Sequence, residues 1–215
     1  PRWENPLRDV IGNRYAVTAG DPRLDGVRAV SGHSLSCSLA RAFPGAEIRE
    51  SVLLLDPVGY HVSLYNYRWT WARKGHAPEP PPFAAWYGRQ RRNPQSRFLL
   101  TRYFEQGVPA LYRFSSAGRL AWLEARLARF WFVGDYRRAG EMIGGISAEL
   151  GVDGRVEDHN VTERRQVTAA TLGPEWAARI VSDNPLDAAL HARWAGRGWR
   201  SEERRVGKEC FLLCR

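Results

Sequence analysis

The chain has 215 residues, a formal net charge of +9 and an apolar share of 44%, which suits a packed globular domain. Its 9 Trp, 8 Tyr and 8 Phe exclude the aromatic-poor composition of a disordered chain. No apolar run of about 18 residues is present, so no transmembrane helix is predicted. The excess of arginine fits a nucleic-acid-binding protein, an enzyme that holds a polyanionic ligand, or charge scattered over a solvated surface.

The two ends of the sequence predict a truncation on one side and an artefactual tail on the other. The chain starts at Pro1 without an initiator Met, so we expect a truncation on the N-terminal side. Residues 200–210 resemble the translation of a common sequencing-adapter oligonucleotide. We therefore expect residues 1–199 to form one domain and residues 200–215 to be an artefactual tail, which belongs outside the fold argument.

The cysteines indicate neither a metal site nor a disulfide once that tail is left out. Cys210 and Cys214 lie in it, although their spacing alone would suggest a metal site or a disulfide. The remaining Cys37 is predicted to be an inert thiol in the core. Nothing then indicates an oxidising compartment, so a cytoplasmic location is expected.

In chain order, the apolar patterns alternate between short strands and helices. Residues 1–26 are polar, broken by glycine and proline, and are predicted to be loop with room for one short helix. Strands are predicted at residues 27–31, 52–55 and 130–134, and helices at residues 34–43, 58–71, 83–91, 96–104, 118–130, 136–150, 174–181 and 186–194. Since strands and helices alternate, and the second strand is continuously apolar, we predict a three-layer α/β domain with a mainly parallel sheet.

The strongest chemical pattern is the strand, turn and helix at residues 53–67. Asp56 and Pro57 form a helix start directly after the predicted buried strand. In an open α/β sheet, ligands bind outside the carboxyl ends of the strands, and a helix start there offers free N–H groups to a phosphate. Ser63 lies on this helix, where its hydroxyl could donate to a phosphate oxygen or bond to the local backbone.

This segment, Leu-Leu-Asp-Pro-Val-Gly-Tyr-His-Val-Ser-Leu-Tyr, resembles the signature Leu-Arg-Asp-Pro-x-x-Arg-x-x-Ser-x-Tyr of carbohydrate-type sulfotransferases. Asp56 and Ser63 fall on the family's Asp and Ser, and the family Ser holds the 3′-phosphate of PAPS (3′-phosphoadenosine 5′-phosphosulfate). Leu55 and Tyr60 stand where the family has arginines. A leucine cannot replace a guanidinium on a phosphate.

Further segments are similar to the family's motifs and follow in its order. Val-Ser-Gly-His, which ends at His33, resembles the Gly-His motif, and residues 93–97 resemble Asn-x-Gln-Thr-Arg. Residues 132–162 resemble the segments Val-Gly-x-x-Glu, Leu-Gly and Leu-Asn-x-Ser/Thr. The Pro-Lys-Thr-Gly loop that precedes them in the family has no counterpart in this sequence, which agrees with the expected truncation.

The resemblance implies a P-loop-like sulfotransferase fold, incomplete at the N-terminus, and a PAPS-dependent enzyme that moves a sulfuryl group to a hydroxyl of a glycan or similar acceptor. It implies His33 as the catalytic base, with Asp56, Ser63, Arg97 and Asn160 in the cofactor site, and it requires no metal. The residues alone leave alternatives: His33 could be a strand-end histidine bonded to backbone, and Arg97 a surface charge. The chain by itself, without the missing loop, is expected to be inactive.

Two other functions stay open. Leu55 and Tyr60 favour a catalytically inactive binding protein that keeps the sulfotransferase fold. The basic charge allows a nucleic-acid-binding module, but no reader motif is present, so no nucleic-acid partner is expected. His61 is predicted to be structural, and the cluster Tyr65, Tyr67, Trp69 and Trp71 to pack in the core, with a shelf for adenine as the alternative.

Overall fold

Helices surround one small sheet in the computed structural model, which describes residues 19–32, 35–153 and 165–200. The described α-helices are α1 (Pro57–Arg73), α2 (Phe83–Tyr87), α3 (Pro94–Phe98), α4 (Ala110–Arg113), α5 (Ser116–Leu127), α6 (Ala139–Leu150), α7 (Ala169–Asp183) and α8 (Pro185–Trp194). The described strands are β1 (Ser51–Leu54), β2 (Phe132–Asp135) and β3 (Gly198–Trp199). The chain is therefore a mixed α/β protein.

The sheet has the order β1-β2-β3 among the described residues. β1 and β2 are parallel, with Leu54 opposite Asp135, as the sequence predicted for its two buried strands. β3 pairs antiparallel with β2, so the sheet formed by the described residues is mixed. β2 is buried along its whole length because it lies between the other two strands.

The segment before β1 differs from its prediction. Residues 27–31 form no strand, and the helix expected at residues 34–43 is a short 3₁₀-helix, Cys37–Ala42. Val27 and Val30 of this segment are partly buried, and they pack against a separate small core around Leu24 and Phe43. The prediction of a strand at residues 27–31 is therefore wrong.

α1 begins where the sequence predicted, because Asp56 caps it and Pro57 occupies its first turn. His61 and Tyr65 recur at helical spacing on the buried face of α1. Tyr65 packs with Phe83 and Trp86 in an aromatic core that also includes Ile180 of α7. This core joins α1 to α2 and α7.

Of the aromatic cluster predicted on α1, two members pack in the core and two do not. Tyr65 is buried and Trp69 packs against the same core. Tyr67 and Trp71 are 42% and 39% exposed and contact each other on the opposite side of the helix. The prediction of core packing is therefore wrong for Tyr67 and Trp71.

The main core lies between the parallel strands and the helices that cover them. Leu54 of β1 and Val133 of β2 pack with Leu123 and Leu127 of α5. The amphipathic pattern at residues 118–130 is thus confirmed, since both leucines are fully buried. The helix ends at Leu127, and Phe130 continues into the core from the turn that leads to β2.

Candidate functional site

The carboxyl ends of β1 and β2 lie at the same edge of the sheet because the two strands are parallel. Asp56 follows β1 by two residues and Asp135 ends β2. Each carboxylate caps the next helical turn: Asp56 Oδ1 accepts from the Gly59 N–H at 2.7 Å, and Asp135 Oδ1 from the Arg137 N–H at 2.7 Å. We call this the strand-end site.

Asp135 is the most strongly bound carboxylate of the strand-end site. Arg137 donates to both of its oxygens at 2.8 Å, and Asp135 Oδ2 lies 2.8 Å from His191 Nε2 on α8. Hydrogen bonds from Arg137, above all, hold the pKa of the Asp135 carboxyl well below its usual range, and His191 adds to this. Asp135 is therefore ionised at neutral pH.

An ionised carboxylate can only accept hydrogen bonds, so the His191 ring must donate from Nε2 to Asp135. In the neutral ring this leaves the Nδ1 lone pair as a proton acceptor. A carboxylate that fixes the tautomer and orientation of an imidazole is the usual support of a general base. The contact with Asp135 therefore fixes Nε2 as the donor of the His191 ring and leaves Nδ1 as the acceptor of the neutral ring.

The segment Asn93-Pro-Gln-Ser-Arg97 is engaged mainly in structure. The Gln95 side chain accepts from the Leu55 N–H at 2.9 Å and donates to the Leu55 carbonyl at 2.7 Å, which fixes the turn after β1. Asn93 Oδ1 accepts from two backbone N–H groups in the first turn of α8. Ser96 donates to the buried Asp187 through both its N–H and its hydroxyl.

Arg97 is the polar residue of this segment whose side chain is left for a ligand. It lines a cleft of about 490 Å³ together with other residues of α3, α4 and α5. Its guanidinium makes no hydrogen bond or ion pair with any described residue. The sequence predicts a ligand-binding role for Arg97. Asn93, Gln95 and Ser96 have structural roles instead, because their side chains bond to the turn after β1 and to α8.

Three of the predicted cofactor-binding residues lie within the described part of the chain, and they do not contact one another through hydrogen bonds. Asp56 lies at the strand-end site, Ser63 on the exposed face of α1, and Arg97 in the cleft, and these three make no hydrogen bond with one another. The Ser63 hydroxyl bonds to no described residue, so the local backbone bond considered as its alternative is not made. His33 and Asn160 lie outside the described residues.

The two positions where the family has arginines are both half-buried. Leu55 presents an aliphatic side chain at the strand-end site, where Gln95 holds its backbone. Tyr60 packs edge-on against His61 at 5.3 Å between ring centroids, and burial raises the pKa of its phenol. Neither residue supplies a positive charge.

Asp135 and His191 were not identified from the sequence. Asp135 could have been found by the rule that found Asp56, because it too lies at the carboxyl end of a buried strand. His191 had no local signal, since it lies on a helix 56 residues further along the chain and only tertiary packing brings it to Asp135.

Within the described residues, no group of three or more His, Cys, Asp and Glu side chains is placed to hold a metal ion. No described helix combines the length and the apolar character that a membrane span needs. Comparisons of the chain with protein-family models, with curated proteins and with solved structures gave no match.

Proposed function

We propose that the chain is part of a PAPS-dependent sulfotransferase with the P-loop-like, three-layer fold of that family, and that the nucleotide binds at the carboxyl ends of β1 and β2. The proposal rests on the structure that the signature segment forms. Strand β1 leads into the capping Asp56, Pro57 and helix α1. On this helix the Ser63 side chain is exposed, and its hydroxyl has no hydrogen-bond partner among the described residues. This arrangement supports binding of a 3′-phosphate by Ser63. Asp56 holds the helix start in place through its bond to Gly59.

The reaction is an in-line transfer of a sulfuryl group from PAPS to an acceptor hydroxyl, in which a base removes the hydroxyl proton. The resemblance assigns that base to His33. Among the described residues, His191 with its partner Asp135 is the alternative, because its ring is oriented with Nδ1 as acceptor. The transfer needs no metal, and a glycan or similar hydroxyl compound is the proposed acceptor. A cytoplasmic location is part of the proposal.

The Ser63 assignment is tested by Ser63→Ala in titrations with 3′-phosphoadenosine 5′-phosphate, the desulfated form of PAPS. A hydrogen bond to a charged group contributes enough for its loss to weaken binding roughly tenfold. Ser182→Ala is the matched control, since Ser182 is another exposed helical serine, on α7, and belongs to neither the strand-end site nor the cleft around Arg97. Equal affinity of Ser63→Ala and wild type would remove Ser63 from the binding site.

A second candidate function is a nucleotide-independent binding protein that retains the fold. Leu55 favours it, because an aliphatic side chain occupies the position from which the family's arginine grips the 3′-phosphate. This candidate predicts that 3′-phosphoadenosine 5′-phosphate does not bind at all, whereas the sulfotransferase proposal predicts weak but measurable binding.

A further inference from the structure

A cleft between α3, α4 and α5 combines an apolar floor with a basic rim. Its volume is about 490 Å³. The floor is formed by four buried leucines: Leu100, Leu111, Leu123 and Leu186. The rim is formed by four arginines and a tyrosine: Arg91, Arg92, Arg97, Arg119 and Tyr112. No acidic side chain lines this cleft among the described residues.

Most of the positive charge on this rim is not neutralised. Arg92 forms an ion pair with Asp183 at 3.0 Å. The guanidinium groups of Arg91 and Arg97 have no hydrogen-bond or ion-pair partner among the described residues. Arg119 donates to the Ser116 hydroxyl at 3.1 Å, but its Nε is buried and has no partner.

This arrangement is unfavourable for the empty protein. Like charges around one concave surface repel one another, and a buried donor without an acceptor loses its bonds to water without replacement. An anion with several oxygens would reduce the charge repulsion and would accept a hydrogen bond from the unpaired donor, because guanidinium groups form paired, charge-assisted hydrogen bonds with phosphate and sulfate. The apolar floor strengthens such bonds by lowering the local polarity.

Tyr112 indicates what carries the anion. It lies on the same rim and is 82% exposed, so its ring faces solvent beside the arginines. An exposed aromatic ring beside an anion site offers an apolar face against which a ring-shaped ligand can lie. Inorganic phosphate or sulfate alone would leave this face unused.

We propose that the cleft rimmed by Arg91, Arg97, Arg119 and Tyr112 binds a phosphate or sulfate monoester carried on a ring. This site goes beyond the proposed nucleotide site and does not depend on it. Gln95 and Arg97 lie two positions apart on α3 and so point in different directions, Gln95 to Leu55 and Arg97 into the cleft. Ser63 does not line the cleft, so Ser63→Ala is expected to leave binding there unchanged.

Calorimetric titration at low salt with glucose 6-phosphate and with N-acetylglucosamine 6-sulfate tests the proposal and distinguishes the two sources of the anion. At least one ester is expected to bind with a dissociation constant near or below about 1 mM. Arg97→Gln and Arg119→Gln should each weaken that binding roughly tenfold. Arg129→Gln is the matched control: it removes the same charge from an exposed position beyond the far end of α5.

Arginine labelling of the wild-type chain provides a readout that needs no variant to fold. Phenylglyoxal should modify Arg91 and Arg97 in the free protein, and the ester that binds should protect both while Arg129 stays reactive. Failure of both esters to bind would overturn the proposal. So would an equal loss of affinity in Arg129→Gln and Arg97→Gln, since binding would then follow net charge and not the cleft.

Discussion

His61 is an ionisable side chain enclosed by aromatic rings in the core of the protein. It is 1% exposed, and its ring lies edge-on to Tyr87 at 5.0 Å and to Trp86 at 6.3 Å. Neither ring nitrogen has a hydrogen-bond partner among the described residues, and the neighbouring Asn184 donates instead to Tyr87 and to the Ile180 carbonyl. Burial, opposed in part by Asn184, lowers the pKa of His61, so the ring is neutral in the folded protein at neutral pH.

The lowered pKa predicts a loss of stability in mild acid. A histidine in the unfolded chain binds a proton near pH 6.5, whereas folded His61 resists it, so its contribution is intact above about pH 6.5 and falls as the pH drops further. The loss is at most about 1.4 kcal/mol per pH unit until the folded pKa is reached. His61→Phe should flatten this dependence between about pH 7.5 and 5 in urea unfolding, because it removes the titrating group.

His76→Gln serves as the control, since His76 is an exposed histidine that contacts the Trp71 ring. Its variant should keep the pH dependence of the wild type. If His61→Phe and the wild type lose stability in parallel between the two pH values, His61 is not the group responsible.

At the residue scale, the sequence predicted those roles that depend on local geometry. Asp56 was predicted as a helix start from its position before Pro57, and the structure confirms the cap. The structural reading of His61 came from its spacing relative to Ser63 on one helix. No local pattern predicts contacts between distant parts of the chain. Such contacts bring Asp135 to His191, and they place Arg97 and Arg119 around the same cleft.

Two adjacent glycines on α6 differ in what surrounds them. A Cβ on Gly144 would meet nothing, whereas a Cβ on Gly145 would collide with the Trp199 ring. Trp199 belongs to β3 and lies against Trp131 and Phe132, with ring centroids 4.4 Å and 4.6 Å away. Gly145 therefore lets α6 approach the antiparallel edge of the sheet.

Alanine substitutions at these two glycines should change stability in opposite directions. Gly144→Ala is expected to raise the free energy of unfolding by about 0.5–1 kcal/mol, because alanine favours a helix interior over glycine. Gly145→Ala should lower it by about 1–3 kcal/mol, since the Trp199 ring must move out of a packed position. Chemical denaturation of both variants measures the difference, and a gain in stability for Gly145→Ala would show that Trp199 does not lie over α6.

At the scale of elements, strong periodicity gave reliable predictions. The amphipathic pattern of α5 and the capped start of α1 correspond to helices close to the predicted ranges. The strand predicted at residues 27–31 was wrong because a short apolar run indicates burial and not the partner that provides it. β3 has two residues, and nothing in so short a segment indicates that it pairs with β2.

For the whole molecule, the alternation of elements predicted the mixed α/β class and the parallel contact of β1 with β2. It did not predict the antiparallel third strand, because strand direction at a sheet edge depends on how the chain returns after α8. The two sites differ in the same way in how far the sequence predicts them. The strand-end site follows from sheet topology, whereas the arginine-rimmed cleft requires the packing of α3, α4 and α5.

We propose that this chain carries the nucleotide site of a sulfotransferase, and calorimetric titration of the wild type and of Leu55→Arg with 3′-phosphoadenosine 5′-phosphate measures whether it does. Leu55 follows β1 with its backbone held by Gln95, so an arginine there would extend from a fixed position at the strand-end site. We expect weak binding by the wild type and binding roughly tenfold tighter by Leu55→Arg, through a charge-assisted bond to the 3′-phosphate. No heat of binding with either protein, while both remain folded, would contradict it.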